Sequence, residues 1–338
     1  SLVVTASGCS NVPITANVVV NQTPAPTFTT NSPICSGQTL TFSSTAPAGS
    51  TYSWSGPGAW TSTLPNPTIT NAQTSATGNY SLVVTLNGCS NVAVVNAVSV
   101  NQMPTTPTIV TNSPVCSGNS ITLSIPSTIG ATYAWSGPGG WTSTLQNPTI
   151  TNSQTNMTGT YSVSVTALGC GAAAANTSVT VNQTPSPSIN TNSPVCSGQA
   201  INLSTANLAG ATFAWSGPNS WSSSSQNPTI ANSVVANGGT YSLIVTQNNC
   251  SNVAVTASVV VNQTPAAPVL SSNSPVCTGG NINLTSTAFP ASTYNWTGPN
   301  GFSSALQNPT ITNVILADSG IYHLNISSNG CTGPTTNI

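Results

Sequence analysis

The feature that most constrains this chain is a tryptophan that returns every 80 or 81 residues and stands 26 residues before a tyrosine. Two cysteines return with the same period. Self-similarity at this spacing, near the lower end of the usual domain size, indicates tandem copies of one small domain. The repeated positions are Trp54, Trp135, Trp215 and Trp296; Tyr80, Tyr161, Tyr241 and Tyr322; Cys35, Cys116, Cys196 and Cys277; and Cys89, Cys170, Cys250 and Cys331.

The repeats define the expected domain boundaries. Residues 1–22 match the end of a copy, because SLVVTASGCSNV at the start resembles SLVVTLNGCSNV at residues 81–92. The linkers NQTPAP, NQMPTTP, NQTPSP and NQTPAAP favour extended backbone, so neighbouring copies are expected to stack semi-rigidly. The chain is expected to continue in both directions. The predicted domains are residues 23–103, 104–184, 185–264 and 265–338, the last truncated in its final strand.

Short strands about every ten residues, separated by Gly, Pro, Asn and Ser, indicate an all-β sandwich. In the second copy, Tyr133 and Trp135 alternate with small residues and so face one apolar layer. No stretch has helical periodicity. The predicted strands of this copy are A (108–110), a short strand ending near 115, B (120–124), C (132–136), E (148–151), F (160–166) and G (177–181).

Charge is almost absent. The chain has no Lys, Arg or Glu, and its only carboxylate and only histidine are Asp318 and His323. Nucleic acids and anionic membranes bind through charge, and no apolar run here is long enough to span a bilayer. The sequence therefore predicts no nucleic-acid partner and no membrane insertion of this segment.

The chain has few side chains that could act as catalytic acids, bases or nucleophiles. Asp318 and His323 are five residues apart, which places them on opposite faces of a strand, and the other copies have neither residue. No acid–base or nucleophile set can be assembled, so no enzymatic activity and no cofactor are expected. Metal sites are not expected either, because carboxylate ligands and CxxC clusters are missing.

Cysteine usage indicates the compartment. Nine cysteines at fixed spacing, with no His, Asp or Glu beside them, are typical of disulfides and hence of an oxidising environment. An extracellular location follows from this interpretation.

A second aromatic residue, six positions after each repeated Trp, has two interpretations. It could stack on a sugar ring, which would make it a ligand face, or it could cover the open edge of the small sheet. Covering the edge is favoured because Trp is usually largely buried. The four residues are Trp60, Trp141, Trp221 and Phe302.

The recurring order NSPVCSG, A-W-SGP, QNPTITN, G-x-Y and N-G-C resembles the immunoglobulin-like repeats of giant secreted surface adhesins of Bacteroidota, of the gliding-adhesin type exported by the type IX system. The resemblance implies an all-β fold: tandem immunoglobulin-like β-sandwich repeats of about 80 residues forming an elongated rod. It also implies a Trp and Tyr core, with each Tyr hydrogen-bonded back toward the E–F corner.

The function implied is that of a structural stalk at the cell surface, a load-bearing spacer that projects a distal binding tip and contacts neighbouring repeats. Two alternatives remain open: a carbohydrate-binding array that uses exposed Trp faces, and a self-assembling extracellular fibre that packs with copies of itself.

Disulfide connectivity follows from the immunoglobulin-like topology if that topology is assumed. Strands B and F run in the same direction, so a cysteine before B and one after F lie about 23 Å apart in one copy, too far for a disulfide. The end of one copy meets the start of the next. The predicted pairs are therefore Cys35–Cys170, Cys116–Cys250 and Cys196–Cys331, with Cys9, Cys89 and Cys277 paired outside this chain segment. The alternative, should the topology differ, is pairing within a copy, as in Cys35–Cys89.

Overall fold

The computed structural model describes residues 1–338. It consists of short β-strands and three-residue 3-10 turns, without any α-helix, so the predicted all-β class is confirmed. No helical segment of the chain has the length and apolar character needed to cross a membrane. The 3-10 turns are Pro57–Ala59, Thr74–Ala76, Pro138–Gly140, Thr155–Met157, Pro218–Ser220, Val235–Asn237, Pro299–Gly301 and Leu316–Asp318.

The strands of the first half are numbered in chain order. Residues 1–103 contain β1 (Thr5–Ala6), β2 (Cys9–Ser10), β3 (Thr27–Thr30), β4 (Ile34–Cys35), β5 (Leu40–Thr45), β6 (Thr51–Ser55), β7 (Thr61–Ser62), β8 (Thr68–Ile69), β9 (Gly78–Leu86), β10 (Cys89–Ser90), β11 (Val94–Val98) and β12 (Val100–Asn101). Residues 104–184 contain β13 (Val110–Thr111), β14 (Val115–Cys116), β15 (Ile121–Ser124), β16 (Ala131–Ser136), β17 (Thr142–Ser143), β18 (Thr149–Ile150), β19 (Gly159–Ala167), β20 (Cys170–Gly171), β21 (Ala175–Val179) and β22 (Val181–Asn182).

The numbering continues through the second half. Residues 185–264 contain β23 (Asn190–Thr191), β24 (Val195–Cys196), β25 (Ile201–Ser204), β26 (Thr212–Ser216), β27 (Ser222–Ser223), β28 (Thr229–Ile230), β29 (Gly239–Gln247), β30 (Cys250–Ser251), β31 (Val255–Val259) and β32 (Val261–Asn262). Residues 265–338 contain β33 (Leu270–Ser272), β34 (Ile282–Ser286), β35 (Thr293–Thr297), β36 (Ser303–Ser304), β37 (Thr310–Ile311), β38 (His323–Ser328), β39 (Cys331–Thr332) and β40 (Thr336–Asn337).

The chain forms two compact units. The first comprises Ser1–Ser113, Ser120–Thr151 and Asn156–Thr180, and the second comprises Pro114–Asn119, Asn152–Thr155 and Val181–Ile338. The second copy, residues 104–184, therefore contributes three short segments to the second unit, of which the first carries β14 and the last carries β22.

Within the first unit, residues 23–103 form a complete sandwich. One sheet has the order β3-β5-β8; the other has the order β10-β9-β6-β7, with β11 also pairing with β9. After β11 the chain leaves this sheet, and β12 pairs in parallel with β4. The second copy repeats the two sheets as β13-β15-β18 and β17-β16-β19-β20, with β21 on β19.

The sandwich core follows from the alternation along the strands. Leu40 and Phe42 on β5 are buried while their neighbours are exposed, and Tyr80 and Leu82 on β9 are wholly buried. Trp54 on β6 lies between the two sheets with its ring centroid 5.3 Å from that of Phe42. Because aromatic side chains bury large apolar areas, this layer holds the two sheets together.

The second unit contains two further sandwiches of the same order. They are built from β23-β25-β28 and β27-β26-β29-β30, then from β33-β34-β37 and β36-β35-β38-β39. Parallel pairs join β14 to β22 and β24 to β32.

The predicted strands of the second copy match the structure in order and differ at their ends. Predicted strand A (108–110) is only β13, Val110–Thr111, and predicted G (177–181) is two strands, β21 and β22. G divides because its first part continues the sheet and its last part pairs with the short strand before B. The equivalent break is seen in the first copy at Ser99, whose amide donates to Ser32 Oγ at 2.8 Å.

Candidate functional site

The junction between consecutive copies is built around a cysteine at the end of a parallel strand. Cys35 in β4 lies opposite Asn101 in β12. Asn101 begins the linker, and its Nδ2 donates to Leu168 O at 2.9 Å in the next copy. The Asn101 carbonyl is 3.9 Å from Cys170 Sγ. The linker therefore positions the hairpin of the next copy beside Cys35.

The two cysteines are bonded in this arrangement. Cys35 and Cys170 form a disulfide with Cα atoms 5.6 Å apart, within the range that a disulfide requires. The second unit contains the same geometry twice, in Cys116–Cys250 at 5.5 Å and Cys196–Cys331 at 5.6 Å. These are the three pairs of the inter-repeat scheme, and no disulfide joins two cysteines of one copy.

In the first three copies, the serine after the first cysteine adds a second contact to the linker. Ser117 Oγ accepts from Thr184 N at 2.9 Å, and Thr184 Oγ1 donates to Ser117 O at 2.7 Å. Ser197 and Thr264 repeat both bonds at the next junction. The linkers at these two junctions are thus fixed by hydrogen bonds on one side of the disulfide, which agrees with short, semi-rigid connections.

Burial protects the disulfides unequally. Cys170, Cys250 and Cys331 are each 1% exposed, whereas Cys35 and Cys116 are half-buried. Each bond closes a loop of more than 130 residues, for which the chain-entropy relation gives a stabilisation of about 5 kcal/mol. Successive loops also overlap in sequence, so each copy except those at the ends is held by two bonds.

Three cysteines carry no disulfide: Cys9, Cys89 and Cys277. Cys89 nevertheless has the surroundings of the bonded cysteines that follow strand F. Its Sγ is 3.6 Å from Asn21 O, and Asn21 Nδ2 donates to Asn87 O at 3.0 Å. Cys89 and Asn21 therefore make the same contacts that the cysteine after strand F and the linker asparagine make at a bonded junction.

Each copy also has a tightly packed aromatic corner next to its Gly-Pro turn. In the second copy, Tyr161 Oη donates to Met157 O at 3.0 Å, the bond back to the E–F corner that the resemblance implies. Trp135 is buried, and its Nε1 donates to Leu145 O at 2.9 Å. The other three copies contain the same Tyr bond, Tyr80 to Ala76, Tyr241 to Asn237 and Tyr322 to Asp318.

Two glycines make this corner possible. A Cβ on Gly137 would lie 2.5 Å from Tyr161 Cε1 and 3.2 Å from Trp141 Cε3. A Cβ on Gly159, whose φ is +153°, would lie 2.8 Å from Pro138 Cγ. The SGP turn and the Gly-x-Tyr sequence are therefore two sides of one contact, and both glycines are required for close approach.

The predicted ligand face belongs to this corner. Trp60, Trp141, Trp221 and Phe302 are all half-buried, and each lies edge-on to the corner Tyr with ring centroids 5.3–5.5 Å apart. Trp60 is also stacked on Phe42 at 5.4 Å, so one of its ring faces is covered. Beside Trp141 there is a cavity of about 330 Å³ lined by Ile150, Met157 and Tyr161.

Asp318 and His323 are not brought together. Asp318 Oδ2 accepts from Ile315 N at 2.9 Å and Oδ1 from Asn300 Nδ2 at 3.0 Å, which makes it the cap of a 3-10 turn. These two hydrogen bonds, the Ile315 bond first, lower the pKa of the Asp318 carboxyl. His323 Nδ1 is 2.8 Å from Asn337 Oδ1 on the neighbouring strand. Burial raises the pKa of the corner tyrosines Tyr80, Tyr161, Tyr241 and Tyr322.

Sequence reasoning missed the linker asparagines and the serines that flank the cysteines. Their signal was present, because NQ followed by Thr-Pro or Met-Pro occurs in every linker and a hydroxyl residue follows each first cysteine. The structure contains no group of three His, Cys, Asp or Glu side chains placed to hold a metal ion.

Comparison with known proteins gives one family match. A profile described as a PKD-like domain matches residues 102–181, which is one repeat length of the chain. No curated protein matches the sequence. The second copy is thus similar to PKD-like domains, which agrees with its immunoglobulin-like sandwich.

Three of the solved structures that match this chain are similar to it in fold. The N-terminal eight Ig domains of the Down Syndrome Cell Adhesion Molecule match with 12% identity and a TM-score of 0.34, covering 93% of this chain and 54% of that one. This chain therefore spans about half the length of that relative. Extracellular domains 3–5 of Drosophila OTK match with 14% identity and a TM-score of 0.32, covering 68% and 93% of the two chains. Murine CEACAM1b matches with 14% identity and a TM-score of 0.34, covering 47% and 100%.

Proposed function

We propose that this chain is a non-catalytic, load-bearing spacer in the stalk of an extracellular adhesin or filament. One observation carries the proposal: each disulfide joins a cysteine before strand B of one copy to a cysteine after strand F of the next. Each bond therefore runs beside a linker. Tension that pulls two copies apart is shared between the linker backbone and a covalent bond.

The protection of the cores supports the same role. In the first unit, β5, β6 and β9 all lie inside the loop that Cys35–Cys170 closes. A load that enters at Cys35 can leave at Cys170 without extending the strands between them. The bonds thus reduce how far the chain can extend even when a sandwich unfolds, which suits a spacer under tension.

Disulfide-linked Ig-like domains indicate an extracellular location. We further propose attachment at a cell surface. The repeated NSPVCSG, QNPTITN and G-x-Y sequences support export as a type IX cargo of the gliding-adhesin type, through their resemblance to those repeats. In this role the copies are structural, and the distal tip lies elsewhere in the protein.

Electron microscopy of the purified chain tests the spacer role. We expect thin particles that lengthen by about 35–40 Å when one additional copy, residues 104–184, is inserted at a linker, because strands of seven or eight residues plus end loops give that advance. Insertion preserves the disulfide scheme because it duplicates both cysteines. Compact particles whose longest dimension does not change would contradict the proposal.

Carbohydrate binding is the second candidate, and the cavity beside Trp141 favours it. Its volume of about 330 Å³ and its apolar floor suit a single sugar ring. This function predicts retention on a polysaccharide that is lost in Trp141→Ala and kept in Leu145→Ala, whose exposed side chain lies outside the cavity. The spacer proposal predicts that neither the wild-type chain nor either variant is retained on the polysaccharide.

A further inference from the structure

The asparagine that begins each linker contacts both of the segments that carry the bonded cysteines. At the junction between the second and third copies, Asn182 lies opposite Cys116 in the parallel pair of β14 and β22, and Ser117 N donates to Asn182 O at 2.8 Å. The Asn182 side chain reaches the next copy, where its Nδ2 donates to Asn248 O at 3.1 Å. One residue therefore binds the segment that carries Cys116 and the hairpin that carries Cys250.

The other two bonded junctions have the same arrangement. Asn101 Nδ2 donates to Leu168 O at 2.9 Å, and Asn262 Nδ2 donates to Asn329 O at 2.9 Å. Both asparagines lie opposite the first cysteine of their own copy, and each carbonyl accepts from the amide of the serine after that cysteine at 2.8 Å. The contact is therefore a property of the repeat rather than of one junction.

The carbonyl that accepts from the linker asparagine belongs to the first residue of a two-residue hairpin turn. In all four copies of this hairpin that residue has a φ of +49° to +51°, in the left-handed region. Asn suits this region, whereas Leu does not, and the second copy nevertheless keeps the turn with Leu in that place. The turn and its bond to the linker are therefore kept where the local sequence does not favour them. The four residues are Asn87, Leu168, Asn248 and Asn329.

The hydrogen bond from the linker to the hairpin does not require a disulfide. Cys89 carries no disulfide, yet Asn21 Nδ2 donates to Asn87 O at 3.0 Å and Cys89 Sγ lies 3.6 Å from Asn21 O. The corresponding distances from sulfur to carbonyl oxygen are 3.9 Å for the bonded Cys170 and Cys331. The sulfur after strand F is therefore placed beside the linker asparagine in the absence of the covalent bond.

We propose that the linker asparagine is a positioning residue for disulfide formation. In the reduced chain its side chain holds the hairpin of the next copy against its own copy, and so it selects which two cysteines join. At the second junction it brings Cys250 to Cys116, whose Cα atoms are 5.5 Å apart in the disulfide. A junction whose bond has been reduced stays docked and forms the same bond again. This role concerns how the bonds arise and is separate from the load that they carry in a spacer.

Bond formation needs an oxidant, for which a small-molecule disulfide such as oxidised glutathione serves. Cys116 is half-buried and Cys250 is buried, so the Cys116 thiolate attacks the reagent, forms a mixed disulfide and releases one small-molecule thiol. The Cys250 thiolate then attacks the Cys116 sulfur, and the second small-molecule thiol leaves. Two protons and two electrons pass from the protein cysteines to the reagent. Asn182 acts on the second step, because only that step needs the two protein sulfurs to be adjacent.

Thiol–disulfide exchange with glutathione measures how well the two cysteines are placed. The effective concentration of Cys116 and Cys250 is obtained from the oxidised fraction at fixed ratios of reduced to oxidised glutathione. In Asn182→Ala it should fall about 3- to 10-fold, because one neutral hydrogen bond is lost. Asn182→Asp should lose at least as much, since a carboxylate of similar size has no hydrogen to donate to Asn248 O. Both variants should fold, because Thr184 keeps its two bonds to Ser117.

Two controls separate placement from general stability. Gln183→Ala removes the neighbouring amide side chain, whose Nε2 donates only to Thr184 O within the linker, and it should leave the effective concentration unchanged. The Cys196–Cys331 junction keeps Asn262, so its effective concentration should be unchanged in every Asn182 variant.

Reoxidation of the fully reduced protein tests selection of the partner. The wild type and Gln183→Ala should return Cys116 joined to Cys250. Asn182→Ala should give about 3- to 10-fold more of the peptides in which either cysteine is joined to another one, because the competing pairings lose less than the native pairing. Mass spectrometry after digestion with a non-tryptic protease measures these peptides.

Hydrogen exchange tests docking without the bond. The double variant Cys116→Ser with Cys250→Ser cannot form this disulfide. Its Asn182 side-chain amide signals, identified by their absence when Asn182→Ala is added, should exchange with solvent at least about 5-fold more slowly than those of Gln183.

Three results would overturn the proposal. The first is an equal effective concentration of Cys116 and Cys250 in Asn182→Ala and Gln183→Ala. The second is an equal fall at the Cys196–Cys331 junction, which would show a general loss of folding. The third is exchange of the Asn182 amide as fast as that of Gln183 in the variant without the disulfide.

Discussion

An oxidised molecule pulled by its two ends should reach a maximum end-to-end length far below that of its fully extended 338-residue backbone. The covalent path from Ser1 to Ile338 can cross from Cys35 to Cys170 and from Cys196 to Cys331. Its three backbone segments then contain only 34, 26 and seven steps. At about 3.3–3.6 Å per residue, the extended path measures about 230–250 Å, against about 1,100–1,200 Å for the reduced chain.

Force spectroscopy with handles at both termini measures this limit. After all sandwiches unfold, the oxidised molecule should reach the shorter length, and reductant added under load should release about 900 Å more. The double variant Cys116→Ser with Cys250→Ser is the matched control. It removes one disulfide that the shortest path does not use, so the limit should stay unchanged.

Removing a bond on the path should have the opposite effect. In the double variant Cys196→Ser with Cys331→Ser, the shortest covalent path runs from Cys170 back along the chain to Cys116 and crosses there to Cys250. The maximum end-to-end length should therefore rise to about 600 Å. Pairing within each copy would instead give the wild-type chain a limit of about 420–460 Å. A wild-type limit in that range would refute the reasoning.

Two further predictions concern stability. Gly137→Ala should lower the free energy of unfolding by about 1–3 kcal/mol, because its Cβ would overlap the Tyr161 ring. The control is Gly171→Ala, whose Cβ would meet no atom closer than 3.7 Å and which should change that free energy by no more than about 0.5 kcal/mol. Chemical denaturation of both variants measures the two losses, and equal losses would contradict the prediction. The melting temperature should be flat from about pH 4 to 9. Because the pKa of the Asp318 carboxyl is lowered in the folded chain, the stability that this carboxylate contributes is present above its usual pKa and is lost in more acid solution. Because the pKa of the corner tyrosines is raised, the stability that they contribute is present up to about pH 10 and is lost as the pH rises further. A change of many degrees in melting temperature between pH 4 and 9 would contradict this.

Strand order and the core could be predicted because they depend on local alternation. Trp135 and Tyr161 stand on strands whose apolar residues recur at every second position, and both are buried. The bond from Tyr161 to Met157 joins residues only four apart. Features that depend only on residues within one strand or one turn can therefore be predicted from the local sequence.

Features that depend on two distant segments were harder to predict. The division of strand G into β21 and β22 was missed, because the partner of β22 is β14, far back in the chain. The contact of Gly137 with Tyr161 was also not predicted, since it joins the SGP turn to β19, the third strand after that turn. The disulfide scheme was accessible only because a known topology supplied the positions of the strand ends.

The most direct test of the account is to identify the disulfides chemically in the oxidised protein. Trypsin cannot serve because the chain has no Lys or Arg, so a protease with another specificity is needed. Mass spectrometry of the unreduced peptides should find Cys116 joined to Cys250, as in the structure. A peptide that joins Cys116 to Cys170 would contradict the claim that covalent bonds run beside the linkers from each copy to the next.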